Sequence, residues 1–132
     1  MIGSINIFQN MLKLNNIDLL ACNGVTGNIE IACVNLGKLS YIGLSCATYN
    51  STRNVYGHDI HKSTNVSGNI FVFGDKYDLQ SIQILSYTNV YGQVKDMKNL
   101  KKIRICQLYG SNCTGSKTDL YNQGANVTHF RV

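Results

Sequence analysis

The feature that most constrains this fold is a recurring spacing of apolar residues and glycine. In the segment LQSIQILSYTNVYGQV the repeated positions are Leu79, Ile82, Ile84, Val90, Gly92 and Val94. In the distant segment LNNIDLLACNGVTGNI the same positions hold Leu14, Ile17, Leu19, Val25, Gly27 and Ile29. All six positions, and so all five intervals between them, agree between the two segments. Self-similarity of this kind predicts a repeat architecture in which successive copies stack on one another.

Three further copies match in part. One of them, interrupted at His58, contains Val55, Ile60, Val66, Gly68 and Ile70. The other two match only at their first three positions, which are Leu39, Ile42 and Leu44, and Leu100, Ile103 and Ile105. The sequence therefore indicates about five copies of roughly 24 residues each. The weak point is residues 45–60, where a full turn is shortened or missing and the chain forms a bulge or a different element.

The spacing within one copy predicts its local structure. Ile82 and Ile84 are two residues apart, which is the periodicity of a strand with one buried face. The position ten residues after the first apolar residue favours a left-handed turn, because in four copies it holds Gly24, Asn65, Asn89 and Gly110. Apolar residues three apart, as in Val94 and Met97, suit a 3-10 turn. The sequence thus predicts a mainly β fold with short helical or 3-10 turns, built as a solenoid of about five turns with parallel strands. A β-sandwich is the alternative, because strand-like runs at regular intervals are also typical of that fold.

The repeat resembles the leucine-rich-repeat family, whose template is L-x-x-L-x-L-x-x-N/C-x-L. The best match is LNNIDLLAC, where Cys22 occupies the Asn/Cys position of the family. The blocks STNVSGNI and YTNVYGQV resemble short repeat proteins of gut Bacteroidetes and their phages. The resemblance covers residues 14–110, and it departs from the family in lacking an Asn ladder. It implies a leucine-rich-repeat-like solenoid forming a single repeat domain over 1–132, with an N-terminal cap at 1–13, repeats at 14–110 and a C-terminal cap at 111–132.

Composition excludes several classes of protein. An apolar content of 44% with only 14% charged residues is unlike a disordered chain. No apolar run approaches the roughly 18 residues of a membrane span, and this chain shows no signal peptide. The five cysteines contain no CxxC pair, so we expect free buried thiols, which favour a cytoplasmic or virion context. We expect no metal and no cofactor.

The sequence contains neither a catalytic motif nor a charge pattern that indicates an enzyme. The sequence lacks a nucleotide loop, a G-x-S-x-G elbow and an H-E-x-x-H motif. The turn GHDIHK brings His58, Asp59 and His61 together, but on a strand the two histidines would face opposite sides. The basic run KDMKNLKKIR has no aromatic residues interleaved within it, so we do not expect nucleic acid as a partner.

The outward positions of the strands are the candidate binding face. Their alternation with the buried positions predicts this face to comprise Asn16, Asp18, Leu20, Tyr41, Ser45, Asp59, His61, Ser81, Gln83, Leu85, Lys102 and Arg104. A mixture of aromatic, apolar and polar side chains suits protein recognition. The sequence and the resemblance together favour a non-enzymatic protein-interaction module that binds another protein or itself. The alternative is a structural component of a phage virion or of a bacterial surface assembly.

Overall fold

The computed structural model describes residues 3–58 and 62–132. Sheet A contains five strands, β1 (Gly3–Ser4), β3 (Val25–Asn28), β7 (Ser63–Asn69), β9 (Tyr87–Gln93) and β11 (Asn112–Thr114). Sheet B contains β2 (Asn16–Leu19), β4 (Tyr41–Leu44), β8 (Ser81–Leu85), β10 (Ile105–Tyr109) and β12 (His129–Arg131). A separate pair comprises β5 (Ala47–Asn50) and β6 (Val55–His58). The helices are α1 (Ile29–Cys33), α2 (Lys117–Tyr121) and the 3-10 segments Ile5–Phe8, Ile70–Phe73 and Val94–Asp96.

The chain alternates between the two large sheets. Each strand of sheet A is followed by a short helical segment and then by a strand of sheet B. All pairings within both sheets are parallel, because the chain crosses back to its starting side before it adds the next strand. The predictions of a mainly β fold, parallel strands and short 3-10 turns are confirmed. The antiparallel pairing typical of most β-sandwiches is confined to β5 and β6.

The repeated apolar positions form one core shared by both sheets. In sheet B the inward residues stack across the strands as Ile17, Ile42, Ile82 and Cys106, followed by Leu19, Leu44, Ile84 and Leu108. Sheet A contributes Val25, Val66, Val90 and Cys113 to the same cluster. Stacking like on like keeps the core continuous along the repeat axis, which explains why the spacing recurs in the sequence.

The glycine of each copy has a local steric cause, most clearly at Gly68 near the end of β7. Its φ is +118°, and an added Cβ would lie 2.8 Å from Ile29 Cγ1 in the preceding unit. The next residue, Asn69, accepts a hydrogen bond from the Phe71 N–H at 2.9 Å and so caps the following 3-10 segment. Ile70 is then fully buried. The sequence Gly-Asn-Ile thus ends a strand, begins a helical turn and anchors that turn in the core.

The predicted left-handed turns are correct at two of their four positions. Gly24 and Gly110 each have a φ of +77°. Asn65 and Asn89 instead lie within β7 and β9, so the prediction is wrong there. Both strands begin earlier than the shared spacing suggests, and their asparagines continue the pairing of sheet A.

Residues 45–60 contain an inserted hairpin rather than a shortened turn. Strands β5 and β6 pair antiparallel with each other, and β4 pairs directly with β8. Val55, which the sequence places at the start of a copy, lies in this hairpin and is 50% exposed. Ile60 of the same copy lies outside the described residues. The prediction of buried positions is correct for the second half of that copy, because Val66 and Ile70 are fully buried.

The strand predicted around Ile103 and Ile105 lies three residues later in the chain, as β10. The sequence assigns Ile103 and Ile105 to the inward positions, whereas the buried residues of β10 are Cys106 and Leu108. Both readings fit the same spacing, because Leu100, Ile103 and Cys106 succeed each other at intervals of three. Pairing with β8 decides between them, since Ile82 lies opposite Cys106. The segment 111–132, predicted as a cap, contributes β11 and β12, and the segment 1–13 contributes β1.

Candidate binding surface

The outer face of sheet B is the surface that the sequence singles out. Parallel pairing aligns its outward residues in rows that cross all five strands. The first row comprises Asn16, Tyr41, Ser81, Ile105 and His129. The second row comprises Asp18, Gly43, Gln83, Gln107 and Arg131. Five of the predicted residues lie in these two rows, namely Asn16, Asp18, Tyr41, Ser81 and Gln83, and Leu85 lies at the next outward position of β8, opposite Tyr109.

The remaining predicted residues vary in position. Leu20 follows β2 and Leu85 ends β8, and both side chains are half-buried. Ser45 is buried, and its Oγ accepts a hydrogen bond from the Ala21 N–H at 2.6 Å, so it stabilises a turn instead of facing solvent. Asp59 and His61 lie outside the described residues.

Lys102 and Arg104 lie beside this face rather than on it. They precede β10, at the end of sheet B where its strands begin. Arg104 lies beside Gln80 of the neighbouring unit, and its N–H donates to the Gln80 carbonyl at 2.8 Å. The cause is the register shift of the last copy, which moves both residues off the strand. The outward residues of β10 are Ile105, Gln107 and Tyr109, which the sequence assignment missed.

Ser81 lies at the centre of the first row, between Tyr41 and Ile105, and only 7% of its surface is exposed. Its Oγ is buried and has no hydrogen-bond partner among the described residues. An unpaired hydroxyl in a buried position costs stability.

Tyr41 lies beside Ser81 in the first row, and Gly43 allows the position of its side chain. A Cβ at Gly43 would lie 2.5 Å from the Tyr41 hydroxyl and 2.9 Å from Leu20 Cγ. The missing side chain therefore lets the phenol and Leu20 converge over β4. Burial raises the pKa of Tyr41, and the nearby Asp18 carboxylate raises it further. The phenol thus stays protonated at neutral pH and is available as a hydrogen-bond donor.

The C-terminal end of the face is cationic and aromatic. The Arg131 guanidinium lies 4.2 Å from the centre of the Tyr109 ring, within the range of a cation–π contact. Asp18 is at the opposite end, on β2. The face therefore runs from a carboxylate through amides and apolar groups to a guanidinium.

A second feature, missed by the sequence, is a buried lysine beside a cleft of about 850 Å³. Lys76 is only 5% exposed. The equivalent position is apolar in the neighbouring units, where it holds Leu36 and Leu100. Its Nζ donates to the Val34 carbonyl at 3.2 Å, at the C-terminal end of α1. Burial lowers the pKa of Lys76, and the charges assigned to Cys33 and Asp75 act on that pKa in the opposite direction. The contact is that of a lysine capping the C-terminal end of a helix. The one signal in the sequence for this feature was a polar residue at a position that is apolar in the neighbouring units.

The five cysteines are free, and Cys33, Cys46, Cys106 and Cys113 are buried. Burial raises the pKa of Cys33 and of Cys106 to about 12, so these thiols behave as apolar core groups. Within residues 3–58 and 62–132, His, Cys, Asp and Glu side chains do not gather in threes that would hold a metal ion. None of the helices in that part of the chain is long and apolar enough to cross a bilayer.

No protein-family model matches the sequence, and neither a curated protein nor a solved structure is significantly similar to it.

Proposed function

We propose that the chain is a leucine-rich-repeat-like solenoid of about five turns that acts as a non-enzymatic protein-interaction module. Support for the solenoid comes from the fivefold succession of a sheet A strand, a helical segment and a sheet B strand. In the interaction role, the outer face of sheet B contacts the partner. This family relation rests on the repeat spacing and on the parallel pairing together.

The observation that carries the binding role is the centre of the outer face of sheet B. There Tyr41 and Ile105, on the strands either side of the small and buried Ser81, offer a partner aromatic and apolar surface. Gln83 and Gln107 in the second row offer amide donors and acceptors next to it. A small aromatic and apolar centre surrounded by polar groups is the arrangement found in protein interfaces.

A photo-crosslinking experiment tests this role. A benzophenone amino acid is introduced at Gln83, on the face, and as a matched control at the exposed Asn89 on sheet A. In extracts of cells that produce the protein, we expect a crosslinked protein specific to position 83. The substitutions Tyr41→Ala and Ser81→Val should abolish that crosslink while the circular dichroism spectrum is unchanged. The same product from both positions, or none from position 83, would contradict the proposal.

A second candidate function is that of a subunit in a phage virion or bacterial surface assembly. In the described residues, each large sheet ends in an unpaired parallel strand at both ends, β1 and β2 at one and β11 and β12 at the other. The N-terminal end also exposes Ile7, Met11 and Leu12 by 47% to 60%. Unpaired strand ends and apolar patches favour head-to-tail stacking of copies.

Light scattering after size-exclusion chromatography separates the two roles. A subunit of an assembly should give species heavier than the 14.6 kDa monomer, increasing with concentration. Leu12→Lys should shift these species towards the monomer, whereas Tyr49→Lys in the hairpin should not. A monomer at every concentration would exclude self-assembly and leave the interaction module.

A further inference from the structure

Two clefts form one groove along the end of sheet B where its strands begin. One, of about 460 Å³, contains Lys13 and Lys38, and the other, of about 480 Å³, contains Lys101, Lys102 and Arg104. The two clefts meet at Gln80, which lines both. This groove lies beside the outer face described above, and its lining includes none of Tyr41, Ser81 and Ile105.

The floor of the groove is a continuous backbone ladder. Asn15 accepts the Ser40 N–H at 2.7 Å, Ser40 accepts the Gln80 N–H at 2.8 Å, and Gln80 accepts the Arg104 N–H at 2.8 Å. Arg104 in turn accepts the Thr128 N–H at 2.8 Å. The ladder holds the neighbouring side chains at the interval between parallel strands, about 4.8 Å. The cations of the groove are therefore anchored on a rigid, regularly spaced base.

The charges of the groove are unbalanced. It holds five cationic side chains and a single carboxylate, that of Asp78, which gives +4 compared with +5 for the whole chain. Lys102 pairs with Asp78 at 3.0 Å, but the two side chains are 60% and 53% exposed, so the pair is weak. Lys13, Lys38, Lys101 and Arg104 have no ion-pair partner in the described part of the chain. Protection of a sheet edge does not explain Lys38, Lys101 or Arg104, because the strands that follow them, β4 and β10, are interior strands of sheet B.

The groups between the cations indicate which polyanion fits. Asn15, Ser40, Gln80 and Asn126 supply amides and a hydroxyl, which suit the hydroxyl groups of sugars. The lining contains no aromatic side chain on which a nucleic-acid base could stack. We infer that this groove binds an acidic polysaccharide, with carboxylates or sulfates of successive sugars lying along the row of cations.

The test compares two charge-matched variants of the full chain. In the groove variant Lys38, Lys102 and Arg104 are replaced by Gln, and in the control variant Arg53, Lys95 and Lys117 are replaced by Gln. Binding to fluorescent heparin and to polygalacturonate is measured by anisotropy at about 0.15 M salt. The native chain should bind both probes, with an affinity that falls as salt increases. The groove variant should bind roughly tenfold more weakly or worse, and the control variant within about twofold of the native chain.

Three results would overturn the inference. The first is no binding of either polysaccharide by the native chain. The second is an equal loss in both variants, which would show a response to net charge alone. The third is a duplex DNA oligonucleotide that binds as tightly as heparin at the same salt, which would assign the groove to nucleic acid. Because all six substituted residues are on the surface, equal melting temperatures for the two variants check that both remain folded.

Discussion

The stacked strands of sheets A and B and the inserted hairpin β5–β6 both contain apolar residues at the repeat spacing, but these are buried in the stack and exposed in the hairpin. Between β8 and β10 the chain repeats every 24 residues, the separation that also joins Lys102 to Asp78, and Ile82 lies opposite Cys106 in the core. Between β4 and β8 the corresponding step from Ile42 to Ile82 is longer by the hairpin β5–β6. Val55 matches the repeat spacing in sequence, yet it is half exposed in that hairpin. Spacing alone therefore does not identify a copy, because burial requires a neighbour in register on each side.

The largest expected difference between the two regions is in the cost of removing an apolar side chain. Ile82→Ala should lower the free energy of unfolding by about 2–5 kcal/mol, because the residue is fully buried between two neighbouring strands. Val55→Ala in the hairpin should change it by less than about 0.5 kcal/mol. Urea denaturation monitored by circular dichroism measures both. Equal losses would mean that the hairpin belongs to the cooperative core.

Glycine substitutions should separate the same regions by a smaller amount. Gly68→Ala is expected to cost about 3 kcal/mol, because its φ is +118° and the new methyl group would overlap Ile29. Gly57→Ala in β6 has no atom within 4 Å of the added Cβ and should cost less than about 1 kcal/mol. The shift in melting temperature of each variant provides the comparison. A small shift for Gly68→Ala would show that the stack tolerates a side chain at its strand ends.

The stack, but not the hairpin, should make stability depend on alkaline pH. The pKa of Cys33 and of Cys106 is about 12 in the folded chain and 9.0 when unperturbed. Their contribution is fully present below pH 9 and is lost as the pH rises towards 12, because the unfolded thiols ionise first. Each thiol should lower the free energy of unfolding by about 1.4 kcal/mol per pH unit in that window.

Urea titrations between pH 8 and pH 11 measure this slope. Cys106→Ala should reduce it by about one thiol's share, whereas Ile82→Val, which removes a core methyl without a titratable group, should leave it unchanged. An unaltered slope in Cys106→Ala would show that this thiol is not excluded from water.

The smallest expected effect comes from shortening the hairpin itself. Ala47 pairs with His58, so Thr48–Gly57 can be replaced by an Asn-Gly turn without separating the ends. We expect a change of less than about 1 kcal/mol, because the replaced segment adds little to the core. Hydrogen exchange should show the same protection at the amides of Ile82 and Val90 as in the native chain. Loss of that protection would make the hairpin a structural support of both sheets.

Prediction from sequence succeeded where the spacing of the apolar residues allows only one strand register. Leu79, Ile82 and Ile84 are buried as their spacing predicts, and Gly92 has a positive φ. Tyr41, Ser81 and Gln83 lie at the predicted outward strand positions, because alternation along a strand leaves only one outward set. It failed at Lys102 and Arg104, because the apolar residues around Ile103 allow two registers and only pairing with β8 selects one. Ser45 was misassigned because its hydroxyl satisfies a backbone N–H in the adjacent unit, a contact that no local pattern encodes.

The sequence by itself determined a repeated strand, a glycine turn and a short helical connection, because these depend on the side-chain period and backbone freedom of a few consecutive residues. Only the tertiary structure decided which copies are neighbours, because that depends on hydrogen bonds and packing between residues 24 or 40 positions apart. It made the hairpin an insertion, placed the last strand three residues later and gathered the lysines of separate units into one groove. It also buried the Ser81 hydroxyl without a hydrogen-bond partner, a property that depends on the neighbouring strands that carry Tyr41 and Ile105.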